Sequence, residues 1–235
     1  MEFLIIEIKE RMSMKRKKIF KSVWQLFMLF VLAGSVISGV GFFVYHVILQ
    51  DKEDTTLNTS IQISRDFTKE ELREDMPLLL QWDKRWGNIK YGEQSIADSG
   101  CGPTALSMIM ISLEKEKALT PCEIARFSEK NGYLVEGRGT SWSLMTDGAS
   151  QLGLQAQELP LNELKMKTEL DAAHPIICIM GPGDFTTEGH FIVIYDYTQE
   201  GFCIKDSNSI ERSREKWTFE QLEPQIRNLW AYTVK

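Results

Sequence analysis

The chain has 235 residues, of which 43% are hydrophobic and 26% charged, and these ordinary fractions exclude a wholly disordered or collagen-like protein. The formal net charge of −6 is uneven: residues 1–21 carry +4, residues 22–50 carry no charge, and residues 51–235 therefore hold −10. An acidic main domain argues against nucleic-acid binding, which depends on neutralising phosphates. Its acidic surface either favours basic substrates or is simply solvated.

Residues 22–50 form an uncharged, mostly apolar stretch long enough to cross a bilayer, which takes about 20 residues in a helix. The alternative, a cleaved signal peptide, has a shorter apolar region of roughly 7–15 residues. Basic residues precede the stretch and acidic residues follow it, and positive flanks stay on the cytoplasmic side. We therefore predict a cytoplasmic basic tail at residues 1–21, a transmembrane helix at 22–50 and an extracytoplasmic remainder.

Residues 51–75 are polar and charged, and they predict a linker. One short helix is expected at Thr68–Glu74, where Thr68 and Glu71 match a capping box. The composition changes at Met76, after which large aromatic residues become frequent. Residues 76–235 are therefore predicted to be the folded domain.

The first half of this domain has helical signals. A helix is predicted to begin near Pro103, because proline suits the first turn, and its residues Thr104–Leu113 are apolar on nearly all sides, which indicates a buried helix. A second begins at the capping box Thr120–Glu123 and ends at Asn131–Gly132. Two further helices are predicted at Ser141–Leu152 and Asn162–Ala173.

The second half changes to the pattern of strands. Gln199–Gly201 is a turn between two of them and predicts a hairpin. Helices followed by antiparallel strands predict an α+β fold. The predicted strands are Ile176–Met180, His190–Tyr197, Phe202–Lys205 and Leu229–Val234, with a helix at Thr218–Arg227 before the last.

The four cysteines show no CxxC spacing, so neither a zinc ribbon nor a thioredoxin-type motif is predicted, and no metal-ligand cluster or cofactor is expected. Cys178 and Cys203 lie in predicted strands and are expected to be buried, although an extracytoplasmic location permits a disulfide. Cys101 lies in the segment Ser99–Thr104 (SGCGPT), at the start of the buried helix, where the helix dipole favours a thiolate. Cys101 is therefore either an activated thiol or a small helix-capping residue.

The three histidines can be sorted by elimination. His46 lies in the predicted membrane segment, and His174 precedes a proline at a helix–strand junction, where a capping or surface role is expected. His190 begins the strongest predicted strand, and a residue at a strand end can point into a cleft. His190 is therefore the candidate base for Cys101, with a surface histidine as the alternative.

A third group should orient the imidazole of such a base. The predicted hairpin between Phe191 and Lys205 would bring Asp206 next to His190. Asn208 is the alternative orienting residue, and a plain polar turn at residues 206–208 is the alternative to both. Asp184 and Asp196 fit less well, because one lies in a Gly-Pro loop and the other at the far end of the strand.

Together these features resemble the cysteine peptidase family C39, in its C39-like branch within the papain-like superfamily, over roughly residues 76–232. The resemblance implies a papain-like fold, with N-terminal helices packed on an antiparallel sheet, and peptide-bond hydrolysis. By match it implies that Cys101 is the nucleophile, His190 the general base and acid, and Asp206 the orienting residue. The segments that carry it are Gln81–Asp83, Trp86–Gly87, Ser99–Thr104, Gly139–Ser141, Gly189–Phe191 and Lys205–Asp206.

The resemblance also implies a glutamine that completes the oxyanion hole. Gln81 lies in the segment that usually carries it and is favoured, whereas Gln94 is closer to the spacing seen in papain-like relatives. The best-known relatives are fused to exporters and cut leader peptides ending in Gly-Gly in the cytoplasm. This chain has no Walker motif and its domain is predicted to face outward, so that substrate does not transfer.

The sequence therefore predicts a membrane-anchored, extracytoplasmic cysteine peptidase that acts on a peptide or protein substrate. One alternative is a papain-like cell-wall amidase or endopeptidase that uses the same residues. The other is a non-catalytic module that keeps the fold and binds a peptide.

Overall fold

The computed structural model describes residues 66–235. The predicted basic tail, the predicted transmembrane helix at 22–50 and most of the predicted linker lie outside these described residues. Within the described part, no helix is both long and apolar enough to cross a membrane.

The domain is built from seven α-helices and ten strands in the described part of the chain. The strands form two two-stranded sheets and one six-stranded antiparallel sheet. The helices are α1 (Ile96–Ser99), α2 (Cys101–Glu114), α3 (Pro121–Lys130), α4 (Asp147–Gln151), α5 (Glu163–Asp171), α6 (Ile210–Arg214) and α7 (Phe219–Leu222). The strands are β1 (Lys90–Tyr91), β2 (Gln94–Ser95), β3 (Leu134–Val135), β4 (Gly139–Thr140), β5 (Leu154–Glu158), β6 (Ile176–Met180), β7 (His190–Thr198), β8 (Gly201–Asp206), β9 (Lys216–Trp217) and β10 (Ile226–Val234).

The main sheet has the strand order β5-β10-β6-β7-β8-β9, and every neighbouring pair is antiparallel. The last strand, β10, lies between β5 and β6, so the end of the chain is in the interior of the sheet. Strands β7 and β8 form the predicted hairpin, with Thr198 opposite Gly201. The predicted α+β class with an antiparallel sheet is therefore confirmed.

Helix α2 is the central helix of one face of this sheet. Its residues 102–111 are all buried, which confirms the prediction from its uniformly apolar sequence. The side chains of β6 alternate between the two faces: Ile177 and Ile179 join the core under α2, whereas Ile176, Cys178 and Met180 join the opposite core. The sheet is thus a middle layer, which explains why β6 is apolar at every position.

The opposite face is covered by α5 and α7. Met166 and Leu170 of α5 and Leu222 of α7 pack with the other half of the strand residues in a second buried cluster. Asn162 caps α5 by accepting a hydrogen bond from the Lys165 N–H at 2.9 Å, in agreement with the predicted start of this helix.

Two predicted helices differ from the structure. The segment 141–152 is a short 3-10 turn followed by α4, because the Ser141 hydroxyl accepts the Ser143 N–H and starts a separate turn. The helix predicted at Thr218–Arg227 was wrong beyond Leu222: Pro224 disfavours helical backbone before it, and β10 begins at Ile226.

Residues 68–74 form a hydrogen-bonded turn instead of a regular helix. The capping box is present, since the Thr68 N–H donates to Glu71 Oε2 at 2.7 Å and the Glu71 N–H donates to Thr68 Oγ1 at 3.1 Å. Glu71 also forms a bidentate ion pair with Arg85, with Nη2–Oε1 and Nη1–Oε2 distances of 2.6 and 2.8 Å. This turn is therefore fastened to the folded domain.

Candidate active site

Cys101 is the first residue of α2, and the glycines on either side allow that helix to begin in a crowded place. A Cβ at Gly100 would lie 2.5 Å from Ile96, and a Cβ at Gly102 would lie 2.8 Å from the Thr140 side chain on β4. Both contacts are too short for any larger residue. The glycines therefore let α2 start directly against α1 and β4, and Cys101 lines the cleft that results.

His190 and Asp206 are brought together by the β7–β8 hairpin. Ile192 pairs with Asp206 across the two strands, and His190 Nε2 lies 2.7 Å from Asp206 Oδ1. His190 is 5% exposed and Asp206 is fully buried. Asn208 does not take the orienting position: its side chain is exposed, and its backbone N–H donates to Asp206 Oδ1 at 2.8 Å.

The imidazole of His190 has a partner on each side. Since Nε2 binds Asp206, Nδ1 is the nitrogen left to face the Cys101 thiol. Burial alone lowers the pKa of His190, but the Asp206 carboxylate and the Cys101 sulfur outweigh it and hold the pKa well above the ordinary histidine range. The imidazolium form of His190 is therefore favoured at neutral pH.

The pKa of the Cys101 thiol is shifted in the opposite direction. Burial alone raises the pKa of Cys101, and the neighbouring His190 side chain is the main influence that lowers it. Together with the backbone amides of Phe191 and Gly102, His190 outweighs burial, and the net result is a pKa below the ordinary thiol range. The pair thus favours a thiolate beside an imidazolium, which is the reactive form of a cysteine.

Arg212 is a member of this constellation that sequence reasoning missed. Its Nε donates to Asp206 Oδ2 at 2.6 Å, so both carboxylate oxygens of Asp206 are occupied. Burial raises the pKa of Asp206, but the bonds from His190 and Arg212 lower it below its usual range. Arg212 lies on the five-residue helix α6, which is too short for an apolar period to predict it, and the only signal is the capping Ser209 before it.

The two candidate glutamines lie in different places. Gln81 is 3% exposed; its Nε2 donates to the Ala97 carbonyl at 2.7 Å and its Oε1 accepts from the Ser207 hydroxyl at 2.9 Å. Ala97 lies one helical turn before Cys101, so the Gln81 amide lies beside the start of α2. Gln94 is exposed and lines the cleft.

The cleft beside Cys101 has a volume of about 510 Å³. After β6, Gly181 and Gly183 make room for the protein's own side chains. A Cβ at Gly181 would lie 2.3 Å from Arg227 Nε, and one at Gly183 would lie 2.1 Å from Gln225 Oε1. The space at Gly189, which lines the cleft, is open, its nearest neighbour being 3.9 Å away.

The remaining candidate residues lie away from this constellation. His174 Nδ1 is 2.8 Å from Glu169 Oε2 at the end of α5, so it has the local role that was expected. Cys178 and Cys203 are buried as predicted, and all four cysteines are free. Among the described residues, no three His, Cys, Asp or Glu side chains are grouped as metal ligands would be.

Comparison with known proteins identifies the family of this chain. The model of the Peptidase_C39 like family matches residues 73–235. No match is found among curated proteins.

Three solved structures are similar to the chain. The peptidase domain of Streptococcus ComA, a bi-functional ABC transporter involved in a quorum sensing pathway, is 16% identical over 59% of this chain and 93% of its own, with a TM-score of 0.46. A putative C39-like peptidase from Bacillus anthracis is 17% identical over 68% and 95%, with a TM-score of 0.43. A double glycine motif protease from an AMS/PCAT transporter, in complex with the leader peptide, is 17% identical over 57% and 84%, with a TM-score of 0.39.

Proposed function

The chain belongs to the Peptidase_C39 like family, and on that premise we propose that it is a cysteine peptidase that hydrolyses peptide bonds with Cys101, His190 and Asp206. The observation that carries the proposal is the hydrogen-bonded line from Asp206 through His190 to a Cys101 thiol of lowered pKa at the wall of an open cleft. A nucleophile, a base and an orienting group in this order are the arrangement that covalent catalysis requires.

The chemistry follows from the two shifted pKa values. The Cys101 thiolate attacks the carbonyl carbon of the scissile peptide bond, and the C–O double bond opens to an oxyanion. As the oxyanion collapses, the C–N bond breaks and the departing amine takes a proton from the His190 imidazolium. Water, deprotonated by the now neutral His190, then attacks the thioester and releases the acid product and the thiol.

The oxyanion needs donors that are already in place. The first N–H groups of a helix have no partner within the helix, so the backbone amide of Cys101 is suited to this role. We assign the second donor to the remaining N–H of Gln81, whose amide lies beside the same turn. One such donor contributes about 3 kcal/mol. Gln81→Ala is therefore expected to lower kcat about a hundredfold, whereas Gln94→Ala, measured alongside, is expected to change it little.

The location of the enzyme is part of the proposal. The uncharged segment 22–50, with basic residues before it and acidic residues after it, supports a single membrane anchor with the peptidase domain outside. Carbonate-resistant membrane association of the full chain, lost when residues 1–50 are removed, would support the anchor. Recovery of both forms in the soluble fraction would contradict it.

Cleavage of an unbiased peptide mixture, read by mass spectrometry, tests the peptidase directly. The wild-type chain is expected to cut some members, and Cys101→Ala and His190→Ala to cut none. Cys122→Ala is the matched control, because Cys122 is buried at the start of α3, away from the cleft. Equal cleavage by Cys101→Ala would overturn the proposal. Cleavage of purified cell wall alone would favour the amidase, and intact folding with no cleavage of either would favour a peptide-binding module.

A further inference from the structure

Two arginines on the walls of the cleft have no carboxylate partner among residues 66–235. Arg227 lies at the start of β10 and Arg138 in the turn between β3 and β4, and both are exposed and line the cavity that contains Cys101. Within residues 66–235 neither guanidinium forms an ion pair, in contrast to Arg85 and Arg212, which bind carboxylates at 2.6 Å. Both guanidinium groups are therefore free of carboxylate contacts within the described residues.

Arg227 is held in position at this wall. Its Nη1 donates to the Pro224 carbonyl at 2.9 Å, and its guanidinium lies so close to Gly181 that a Cβ there would come within 2.3 Å of Nε. Any side chain at position 181 would therefore displace the arginine. A cation fixed by its neighbours loses less freedom when it binds a carboxylate than a mobile one.

The register of the sheet gives the distance from Arg227 to the reacting groups. Met180 at the end of β6 is paired with His190 on one side and with Ile226 on the other. The backbone of Arg227, the next residue, is thus about two strand spacings from His190, roughly 10 Å. Its guanidinium packs on Gly181, the residue after Met180, and therefore lies closer than its backbone does. An extended peptide advances about 3.3 Å per residue, so the guanidinium lies within about three residues of the reacting groups.

The cleft lining also contains two carboxylates. Asp98 is hydrogen-bonded locally: its Oδ2 accepts the hydroxyl of Ser95 at 2.5 Å and the Ser95 N–H at 3.2 Å. Glu188 lies two residues before His190 in the same lining. The two carboxylates balance the two arginines in formal charge, so what distinguishes Arg227 is a positioned guanidinium that no carboxylate of residues 66–235 occupies.

We propose that the cleft selects peptides with an acidic side chain within about three residues of the scissile bond, which Arg227 binds through its guanidinium. This rests on the proposed peptidase function. A planar guanidinium can hold both oxygens of a carboxylate at once, which makes the contact specific in geometry as well as in charge. Arg138, on the turn between β3 and β4, is a second cation of the cleft lining and adds to the attraction.

The experiment uses the full-length chain and pairs of peptides that differ at one position, where one peptide has Glu and the other Gln. This position is moved in turn along both sides of the bond that is cut, and kcat/KM is compared within each pair. The Glu peptide is expected to be cut about tenfold faster at one position and equally at the others. Arg227→Gln is expected to abolish that difference by lowering kcat/KM for the Glu peptide to that of the Gln peptide, and Arg227→Lys to retain part of it. Arg126→Gln, an exposed arginine on α3, is the matched control.

The outcomes separate this inference from the function on which it rests. If no peptide is cut in a manner that depends on Cys101, the proposed function fails. If cleavage depends on Cys101 but Glu and Gln peptides are cut equally, or if Arg126→Gln removes the preference as much as Arg227→Gln does, the selection by Arg227 is overturned and the peptidase stands. The melting temperature of each variant shows whether a lost preference reflects a lost fold.

Discussion

The protonation of His190 depends on both of its neighbours, because its imidazole lies between a thiol and a buried carboxylate. Each neighbour favours the protonated ring, whereas burial opposes it, and the two attractions prevail. The same proton lowers the pKa of the Cys101 thiol, so neither shift exists without the other residue. Changes at single residues therefore show whether the pair is coupled.

Alkylation of Cys101 by iodoacetamide, followed against pH by peptide mass spectrometry, reports this coupling. The wild-type thiol is expected to react at pH values well below the ordinary thiol pKa of about 8.5, because its thiolate persists there. His190→Ala removes the main attraction, so the reaction is expected to move up toward that value. Cys178, whose pKa burial raises, is an internal control that should not react. Identical profiles for the two proteins would contradict the ion pair.

Arg212 is expected to act as a positioning residue through Asp206. Arg212→Ala leaves Oδ2 of a buried carboxylate without its charged partner, so kcat/KM is expected to fall about tenfold and the free energy of unfolding by about 2 kcal/mol. A carboxylate of lowered pKa stabilises the fold above its unfolded pKa, and this stabilisation is lost as the pH falls through the folded pKa. Removal of Arg212 brings the folded pKa of Asp206 closer to the unfolded one, so the acid loss of stability due to this carboxylate should be smaller in the variant and complete at a higher pH.

The control for this position is Arg214→Ala, an exposed arginine on the same short helix. It should leave both the rate and the acid limb of stability unchanged. Arg212→Lys keeps a positive charge and should recover part of the rate. A loss of stability in Arg212→Ala at every pH alike, without a shift of the acid limb, would show a packing role only.

At the scale of elements, segments with strong local sequence signals were predicted correctly, whereas segments that depend on tertiary contacts were not. Helix α3 has a capping box and a terminal glycine, and the β7–β8 hairpin has an apolar run and a turn, so each element is specified within its own sequence. Strand β5 was missed because only Leu154 in it is buried, so it lacks an apolar pattern and depends on pairing with β10. Arg212 was missed for the same reason, because helix α6 is stabilised mainly by its tertiary contacts.

The hairpin β3–β4 forms one wall of the cleft, and a buried tyrosine fastens it to the helices. The Tyr91 hydroxyl lies 2.6 Å from Ser128 Oγ on α3 and 3.0 Å from Thr140 Oγ1 on β4. Tyr91→Phe leaves two buried hydroxyls without this partner, and the free energy of unfolding in urea is expected to fall by about 1–3 kcal/mol.

Tyr197→Phe is the matched control for that change. Its hydroxyl donates to Asp171 at 2.8 Å in an exposed bond, which water can replace, so a much smaller loss is expected. Thr140 also packs against Gly102, so a loosened hairpin in Tyr91→Phe should slow alkylation of Cys101 as well. Equal losses of stability in the two variants would show that the buried network contributes little.

At the scale of the whole domain, the main sheet separates two apolar cores, and the site lies at the end of the sheet where α2 begins. The nucleophile comes from the helical layer, whereas the base and the orienting carboxylate come from the sheet. Packing between these layers therefore sets the distance between Cys101 and His190. Cys101 and His190 are far apart in sequence. The motifs therefore predicted which residues belong to the site, but not the packing of the helical layer on the sheet that sets the distance between them.

The turn before the domain takes part in this packing through the ion pair of Glu71 and Arg85, whose side chains are 14% and 12% exposed. Burial raises the pKa of Glu71, but the bonds from Arg85 prevail and hold it below its usual 4.5. The pair thus stabilises the fold above the unfolded pKa, and this contribution is lost as the pH falls through the folded pKa. Glu71→Gln is expected to lower the free energy of unfolding at pH 7 by about 1–2 kcal/mol, and by nothing once Glu71 is protonated in both states. Glu70→Gln is the control, because its contact with Arg73 is 4.0 Å long and both side chains are exposed. A penalty for Glu71→Gln that persists unchanged into acid would show that the charge of Glu71 is not what fastens the turn.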